Sequence, residues 1–430
     1  MKSIIANVVS GKAGDKVIWF VILMLSVCSL LSVYSASSSL AYKQESSIHL
    51  IMLKHALYLV LGLSIVYFTS RIPYQRFKAI APGLLIFSVL LLVITIIFGN
   101  TINDARRWLT IPLINQQFQP SDVAKLALML YLAHILTTKQ ETIKDFKNGF
   151  LPVILPICII CMLIAPNNLS TAMLIFSTSF IVMFIGRVST KYLSYSFGVG
   201  IGLFGLLTII NFIAPKMVRM TVWTTRVQDF LGNSEGTFQN VQAKIAVANG
   251  GWFGMGAGDG SIRHFLPSAF SDFIYAAICE EYGIIGACFI LGLFILFFFR
   301  IIRIVTITPK TFGALLVMGL GLQITIQALI NMSVSLHLLP VTGLTLPLVS
   351  KGGTSLLLNS MAFGMILSVS RYVDKHAAGP VAKPSSMHEL IENTTETVEL
   401  IETGESVTQA EIPFDIAYTL DKTKAGKNTL

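Results

Sequence analysis

Residues 79–98, AIAPGLLIFSVLLLVITIIF, run for twenty positions without one charged side chain. Arg76 and Lys78 stand just before the run, and Gly99 and Asn100 just after it. A hydrocarbon core of ~30 Å is crossed by about 20 apolar residues in a helix. The stretch therefore reads as a membrane span with a basic end. Nine more runs of this kind follow from the same reading, at 17–36, 52–69, 122–138, 150–165, 169–186, 192–213, 273–299, 311–331 and 355–371. The expected fold class is all-α: a polytopic membrane protein of about ten transmembrane helices.

Composition agrees. Only 12% of the 430 residues are charged and mean hydropathy is +0.73, against roughly 25% charged in soluble domains. No stretch has the composition of a soluble catalytic domain, and no repeat stands out. The five cysteines all lie in apolar runs, which argues against a disulfide framework. The Cys158/Cys161 pair, inside a span, reads as small buried hydrophobes.

Orientation follows from the cations in short loops. One set of loops carries sixteen Lys and Arg, the other ten, and half of those ten fall in one long loop. The richer side is expected to be cytoplasmic. That puts both termini inside and a large extracytoplasmic loop, 214–272, between spans 7 and 8. The expected organisation is a cytoplasmic N-terminus over 1–16, a membrane domain over 17–371, and a disordered acidic cytoplasmic tail over 376–430. The tail carries nine acids and four lysines. The rest of the chain is strongly basic, which suits anionic headgroups or a phosphorylated substrate.

Polar residues at spans are costly and mark candidate sites. Pro120 and Ser121 read as a helix start whose positive dipole end faces the extracytoplasmic interface. Arg106, Arg107, Trp108 and Lys125 gather there, a setting for a phosphate or pyrophosphate. Asp122 and Lys125, three apart, share a helix face. The same residues would also suit an ordinary capped helix with an interfacial Trp and an internal ion pair. Asp272, at the boundary of the eighth span, is a candidate general base or a helix-capping carboxylate. Glu280 and Glu281 lie further along that span and point in different directions. Residues 338–355 hold Pro340, Pro347, Gly343, Gly352 and Gly353. They read as irregular backbone at membrane depth, tolerated only inside protein or along a cavity, with Ser350 and Lys351 near its end. The glycines at 254, 256 and 258 lack the strand and the Lys-Ser pair of a phosphate loop.

These blocks carry a resemblance. RRW with FQPSDVAK (106–125), ANGGWFGMGAG with FLPSAFSDFIYAAICEEYG (248–283), NMSVSLHLLPVTGLTLPLVSKGGTS (331–355) and SRIPYQRF (70–77) resemble the SEDS family of shape, elongation, division and sporulation proteins, FtsW and RodA among them. The likeness covers about 15–375. The GLTLP form and the long tail look more like FtsW. The resemblance implies a peptidoglycan glycosyltransferase that polymerises lipid II outside the cytoplasmic membrane beside a class B penicillin-binding protein and other division proteins. It places the essential family aspartate on Asp272, the acid and lysine of the FQPSE-type motif on Asp122 and Lys125, and the family arginine on Arg107. Lys351 would add a cation at the pyrophosphate. Arg106, Trp108, Glu280, Glu281, Ser350, Gly352 and Gly353 would support the site. Lipid II and an undecaprenyl-pyrophosphate-linked glycan would be the substrates. No cofactor is certain; Mg²⁺ or Mn²⁺ is compatible with the pyrophosphate, with no ligand cluster visible. Nothing points to nucleic acid.

The chain departs from the family in three places. Asp122 stands where Glu is common. APNNLSTA (165–172) lacks the acid of the QPDxGTA block, at Asn167 or Asn168. Lys351 replaces the aromatic of the SYGG block. Two other classes stay open on the residues alone: a lipid II flippase, and a non-catalytic scaffold for the transpeptidase.

Overall fold

The structure is a computed structural model that describes residues 14–36, 48–102, 105–111, 116–213, 220–232, 238–260 and 271–377. Met1–Asp374 forms one compact unit and Lys375–Leu430 a second, of which only residues 375–377 are described. The expected N-terminal segment before Gly14 and the acidic tail beyond Ala377 lie outside the described residues.

Twelve α-helices are described in the following order. They are α1 (Lys16–Ala36), α2 (Ile48–Arg71), α3 (Tyr74–Phe98), α4 (Pro120–Thr138), α5 (Leu151–Ile164), α6 (Leu169–Ile185), α7 (Thr190–Ile213), α8 (Met220–Leu231), α9 (Phe238–Gly250), α10 (Ile274–Ile307), α11 (Thr311–Ser335) and α12 (Gly353–Ala377). Ten of these fall on the ten expected spans. Eight are long and apolar enough to cross a membrane, α5 being counted with the π-helical turn Phe146–Phe150 that leads into it. The exceptions are α6, which has 17 residues, and α4, which carries Asp122, Lys125 and His134. Most helices overrun the expected bounds, because polar ends such as Tyr74-Gln75-Arg76 continue the helix beyond the apolar run.

Burial sorts the helices. In α4 and α11 residues face inward on nearly every side, Leu128, Leu132, Val317 and Ala328 among them, and these helices form the centre of the unit. In α3 and α7 large apolar side chains face outward, including Phe98, Phe204 and Phe212. A soluble protein does not leave such continuous apolar surface in water. With eight span-length apolar helices, this is a multi-pass membrane protein.

Two features depart from the all-helical expectation. The connection from α3 to α4 holds a small antiparallel sheet, β1 (Asn100–Ile102), β2 (Ala105–Ile111) and β3 (Gln116–Phe118), in the order β1-β2-β3. Alternation over only three to seven residues was too short a signal to register. The second is a break in α10. Gly283 adopts φ 64, ψ −164 inside this 34-residue helix. The break strands the carbonyls of Glu280 and Glu281, and the glycine-rich segment after α9 takes them up. Met255 N–H donates to the Glu280 carbonyl at 2.9 Å and Gly256 N–H to that of Glu281 at 3.1 Å. In return Ile284 N–H donates to the Gly251 carbonyl at 3.0 Å. The glycines at 254, 256 and 258, each with positive φ, thus build a backbone splice.

Candidate functional site

The broken segment before α12 organises the site. From Leu336 to Gly352 the chain has no regular structure, and Gly343 and Leu348 carry positive φ. Irregular backbone inside a bundle needs partners for its N–H and C=O groups. Here α11 supplies them. Gln327 Nε2 donates to the Thr345 carbonyl at 2.8 Å. The Asn331 amide donates to the carbonyls of Leu344 at 2.7 Å and of Asp272 at 2.8 Å. The Ser350 hydroxyl accepts from Leu346 N–H at 2.8 Å and donates to the Ser271 carbonyl at 2.6 Å. The turn carrying Asp272 is thereby tied to the broken segment at two adjacent carbonyls.

Asp272 is not the cap of α10. That position falls to Phe273, and no side chain caps it. The capping alternative is therefore removed, and the carboxylate faces its surroundings. Burial pushes its carboxyl above the usual carboxylate range, while the Ser271 hydroxyl and the charges of Arg107 and Arg226 pull the other way. Arg107 comes from β2. Arg226 comes from α8, the most amphipathic helix here. It anchors by donating to the Val341 carbonyl at 2.9 Å, with Phe230 against the His337 ring at 5.3 Å between centroids.

Asp122 and Lys125 begin α4 as expected, with Pro120 at its first position, and they pair at 2.7 Å. Both are buried, and Lys125 Nζ reaches Gln327 Oε1 at 3.1 Å. The lysine thus points into the bundle and braces the residue that holds the broken segment. Removing one partner of a buried pair costs about 3–5 kcal/mol, because the other charge stays buried. Lys125→Met is expected to lower the melting midpoint sharply in detergent. The double variant with Asp122→Leu should recover most of the loss.

The remaining expected residues scatter around this core. Arg106 is exposed and Trp108 is half-buried on β2. Glu280 and Glu281 are buried and diverge: Glu281 meets the Ser35 hydroxyl, and Glu280 lies against Gly260. The Lys351 side chain lies near His55 and Lys54, and burial followed by the Lys54 charge pulls its pKa down. Gly353 lies under the Tyr58 ring at the start of α12, and Gly352 accepts the first helical bond there, from Leu356 N–H at 2.7 Å. Asn103, Asp104 and residues 261–270 lie outside the described residues.

Sequence reasoning missed Gln327, Asn331 and Arg226. A signal for two of them was available. Gln323, Gln327 and Asn331 recur every four residues within a span, on one helix face, where polar groups mark function.

An apolar cleft of about 630 Å³ opens between α6 and α7, lined by Leu169, Phe176, Phe180, Ile201, Phe204 and Leu207. Two small clefts flank Arg107 at the starts of α4 and α6, the first with a largely apolar lining and the second a polar one. Among the described residues, no three His, Cys, Asp or Glu side chains group as a metal site.

The probable peptidoglycan glycosyltransferase FtsW of Geobacter sp. (strain M18) is 32% identical over 360 residues, covering 83% of this chain and 96% of that protein. Stage V sporulation protein E of Bacillus subtilis (strain 168) is 33% identical over 366 residues, covering 83% and 97%. A chain from a solved structure described as "Structural coordination of polymerization and crosslinking by a peptidoglycan synthase complex" matches with TM-score 0.65 at 25% identity, over 84% of this chain and 98% of that one. The rod shape determining protein RodA of Thermus thermophilus shares the fold, with TM-score 0.59 at 23% identity over 83% and 97%. The family model for cell cycle proteins of the FtsW/RodA/SpoVE type matches residues 15–375, the whole helical unit that holds Asp272 and the broken segment, and the chain belongs to that family.

Proposed function

We propose that this chain is a peptidoglycan glycosyltransferase that polymerises lipid II into β-1,4-linked glycan strands during cell division, with Asp272 as general base. The observation that carries the reading is Asp272 itself: a carboxylate on a pinned turn, ahead of a span, with two arginines in electrostatic reach. The reaction runs on the extracytoplasmic face of the cytoplasmic membrane, with both termini inside.

Asp272 takes the proton of the acceptor's GlcNAc 4-hydroxyl. That oxygen attacks the anomeric carbon of the donor strand as the carbon–phosphate-oxygen bond breaks. Undecaprenyl pyrophosphate leaves, and attack from the opposite face turns the α-linkage into β. A general base contributes roughly 10²–10⁴-fold. Fixed positive charge at the departing oxygens contributes more in many enzymes, and Arg107 and Arg226 supply it here. The apolar cleft between α6 and α7 suits a polyprenyl chain, since its lining is almost wholly hydrocarbon. Asp122, Lys125 and Gln327 hold the broken segment in place. Mg²⁺ or Mn²⁺ would be held by Asp272, since the Asp122 carboxylate is paired with Lys125, and would take its other ligands from substrate phosphate oxygens. The resemblance to a synthase that couples polymerisation to crosslinking supports a class B penicillin-binding protein as partner.

The test is fluorescent lipid II given to the purified chain with its co-purified transpeptidase. A ladder of glycan polymer is the expected result. Translocation in liposomes without polymer would assign a flippase instead, and neither activity a scaffold.

A further inference from the structure

The broken segment is also reached from α1 and α2. Ser29 of α1 and His55 of α2 are buried, at 0% and 3% exposure. The Ser29 hydroxyl donates to the Val349 carbonyl at 2.8 Å, and His55 Nε2 lies 2.9 Å from the same hydroxyl. A hydroxyl has one proton to give. Val349 is fully buried, and a buried carbonyl demands a donor, so the proton goes there. His55 Nε2 must then carry a proton of its own and donate to Ser29 Oγ, whether the ring is neutral or cationic.

The same face of α2 continues along the chain that follows. Tyr58, three residues on, lays its ring over Gly353, and Gly62, seven on, lies against Leu356 and Ser360. A histidine inside an apolar helix of span length is costly and marks a task.

The object held is a tight turn. The N–H groups of Val349 and Ser350 both donate to the Leu346 carbonyl, at 3.2 and 3.0 Å. Leu348 within it has φ 61, a strained value for leucine that persists only where the surroundings enforce it. Ser350, next after the clamped carbonyl, donates to the Ser271 carbonyl at 2.6 Å, and Asp272 follows Ser271 in the chain. The path from His55 to the carboxylate turn thus runs through Ser29, Val349, Ser350 and Ser271. We propose that His55 and Ser29 are positioning residues for the transfer, a clamp that fixes the Val349–Ser350 turn and through it the setting of Asp272. This rests on the glycosyltransferase reading for the reaction served; the clamp itself is testable without turnover.

The test joins lipid II kinetics to nitrogen NMR, both on the full chain with its co-purified transpeptidase. Ser29→Ala and His55→Leu should each lower kcat by about ten- to hundredfold, the cost of a small misplacement at the reacting group, and leave KM within about twofold. His55→Gln, whose amide can replace Nε2–H as donor, should recover most of the rate. His55→Asn, whose shorter amide falls short of Ser29, should not. The double variant Ser29→Ala with His55→Leu should cost no more than either single one, since both act along one path. Each rate is read well below the variant's melting midpoint, so that loss of fold does not pass for loss of positioning. In wild type labelled with ¹⁵N-histidine, the His55 Nε2 signal, identified by its loss in His55→Gln, should be proton-bearing. A bare Nε2 would overturn the clamp, and that reading needs no turnover. So would a wild-type kcat in Ser29→Ala, equal rescue by Asn and Gln, or a rise in KM at constant kcat. Absence of polymer from the wild type would fell the glycosyltransferase reading and the role in turnover with it, while a proton-bearing Nε2 would leave the clamp on the turn standing.

Discussion

Asp272→Asn lowers polymer formation from lipid II by about 10²–10⁴-fold, the range of a lost general base. The substitution keeps the shape of the side chain and removes only its capacity to take a proton. The turn should survive, because Asn331 and Ser350 hold it through the main-chain carbonyls of Asp272 and Ser271. Retained melting behaviour with lost turnover would separate chemistry from folding. Polymer at the wild-type rate would sink the assignment. The same carboxylate sets a pH dependence. Burial raises its pKa and the Arg107 and Arg226 charges oppose that rise. A base works only when deprotonated, so kcat/KM falls as pH drops through this pKa. Arg226→Gln removes one opposing charge, lets the pKa climb further, and should move the acidic limb of the profile to higher pH. A limb that stays put, or moves down, would show that Asp272 is not the titrating group.

Gly283→Ala should destabilise the folded chain by roughly 3 kcal/mol or more, through strain and overlap together. At φ 64, ψ −164 the residue sits where side chains are strained. A Cβ there would also run into the Trp252 carbonyl and the Gly254 nitrogen. Neither neighbour can retreat, because both belong to the backbone splice. Gly254→Ala should behave alike, since its Cβ would overlap the Glu281 carbonyl. Thermal melts of the purified variants in one detergent check both. Ala at a surface glycine with open surroundings, such as Gly83, is the control and should change little.

The spans were legible because the hydrocarbon core imposes length and composition on each one separately. Residues 79–98 need no knowledge of the other helices to be read as a crossing. The start of α4 was legible for a similar reason: Pro120 and the Asp122/Lys125 spacing are local signals. The site was less so. Asp272 could be singled out as an acid at a boundary, but its partners arrive from β2, α8 and α11, at separations that no local pattern encodes. Lys125 shows the limit clearly. The sequence places a cation near a helix start, and only the fold decides that its ammonium turns inward to Gln327 rather than outward to a phosphate. The three-stranded sheet and the break at Gly283 were hidden too. A glycine within an apolar run looks like any small packing residue until the neighbouring backbone is seen.

That break has a mechanical consequence. Residues after Gly283 form a helix of about 36 Å at 1.5 Å per residue, longer than the ~30 Å hydrocarbon core. Such a helix relieves mismatch by tilting. An unbroken helix would carry that tilt straight to its far end as a swing of the Asp272 turn. Here the dihedral discontinuity gives the two halves separate axes. The first half is held by the glycine splice, by Asn331 and by the broken segment. The crossing portion can lean with bilayer thickness while the Asp272 turn keeps its place against Asn331 and the broken segment.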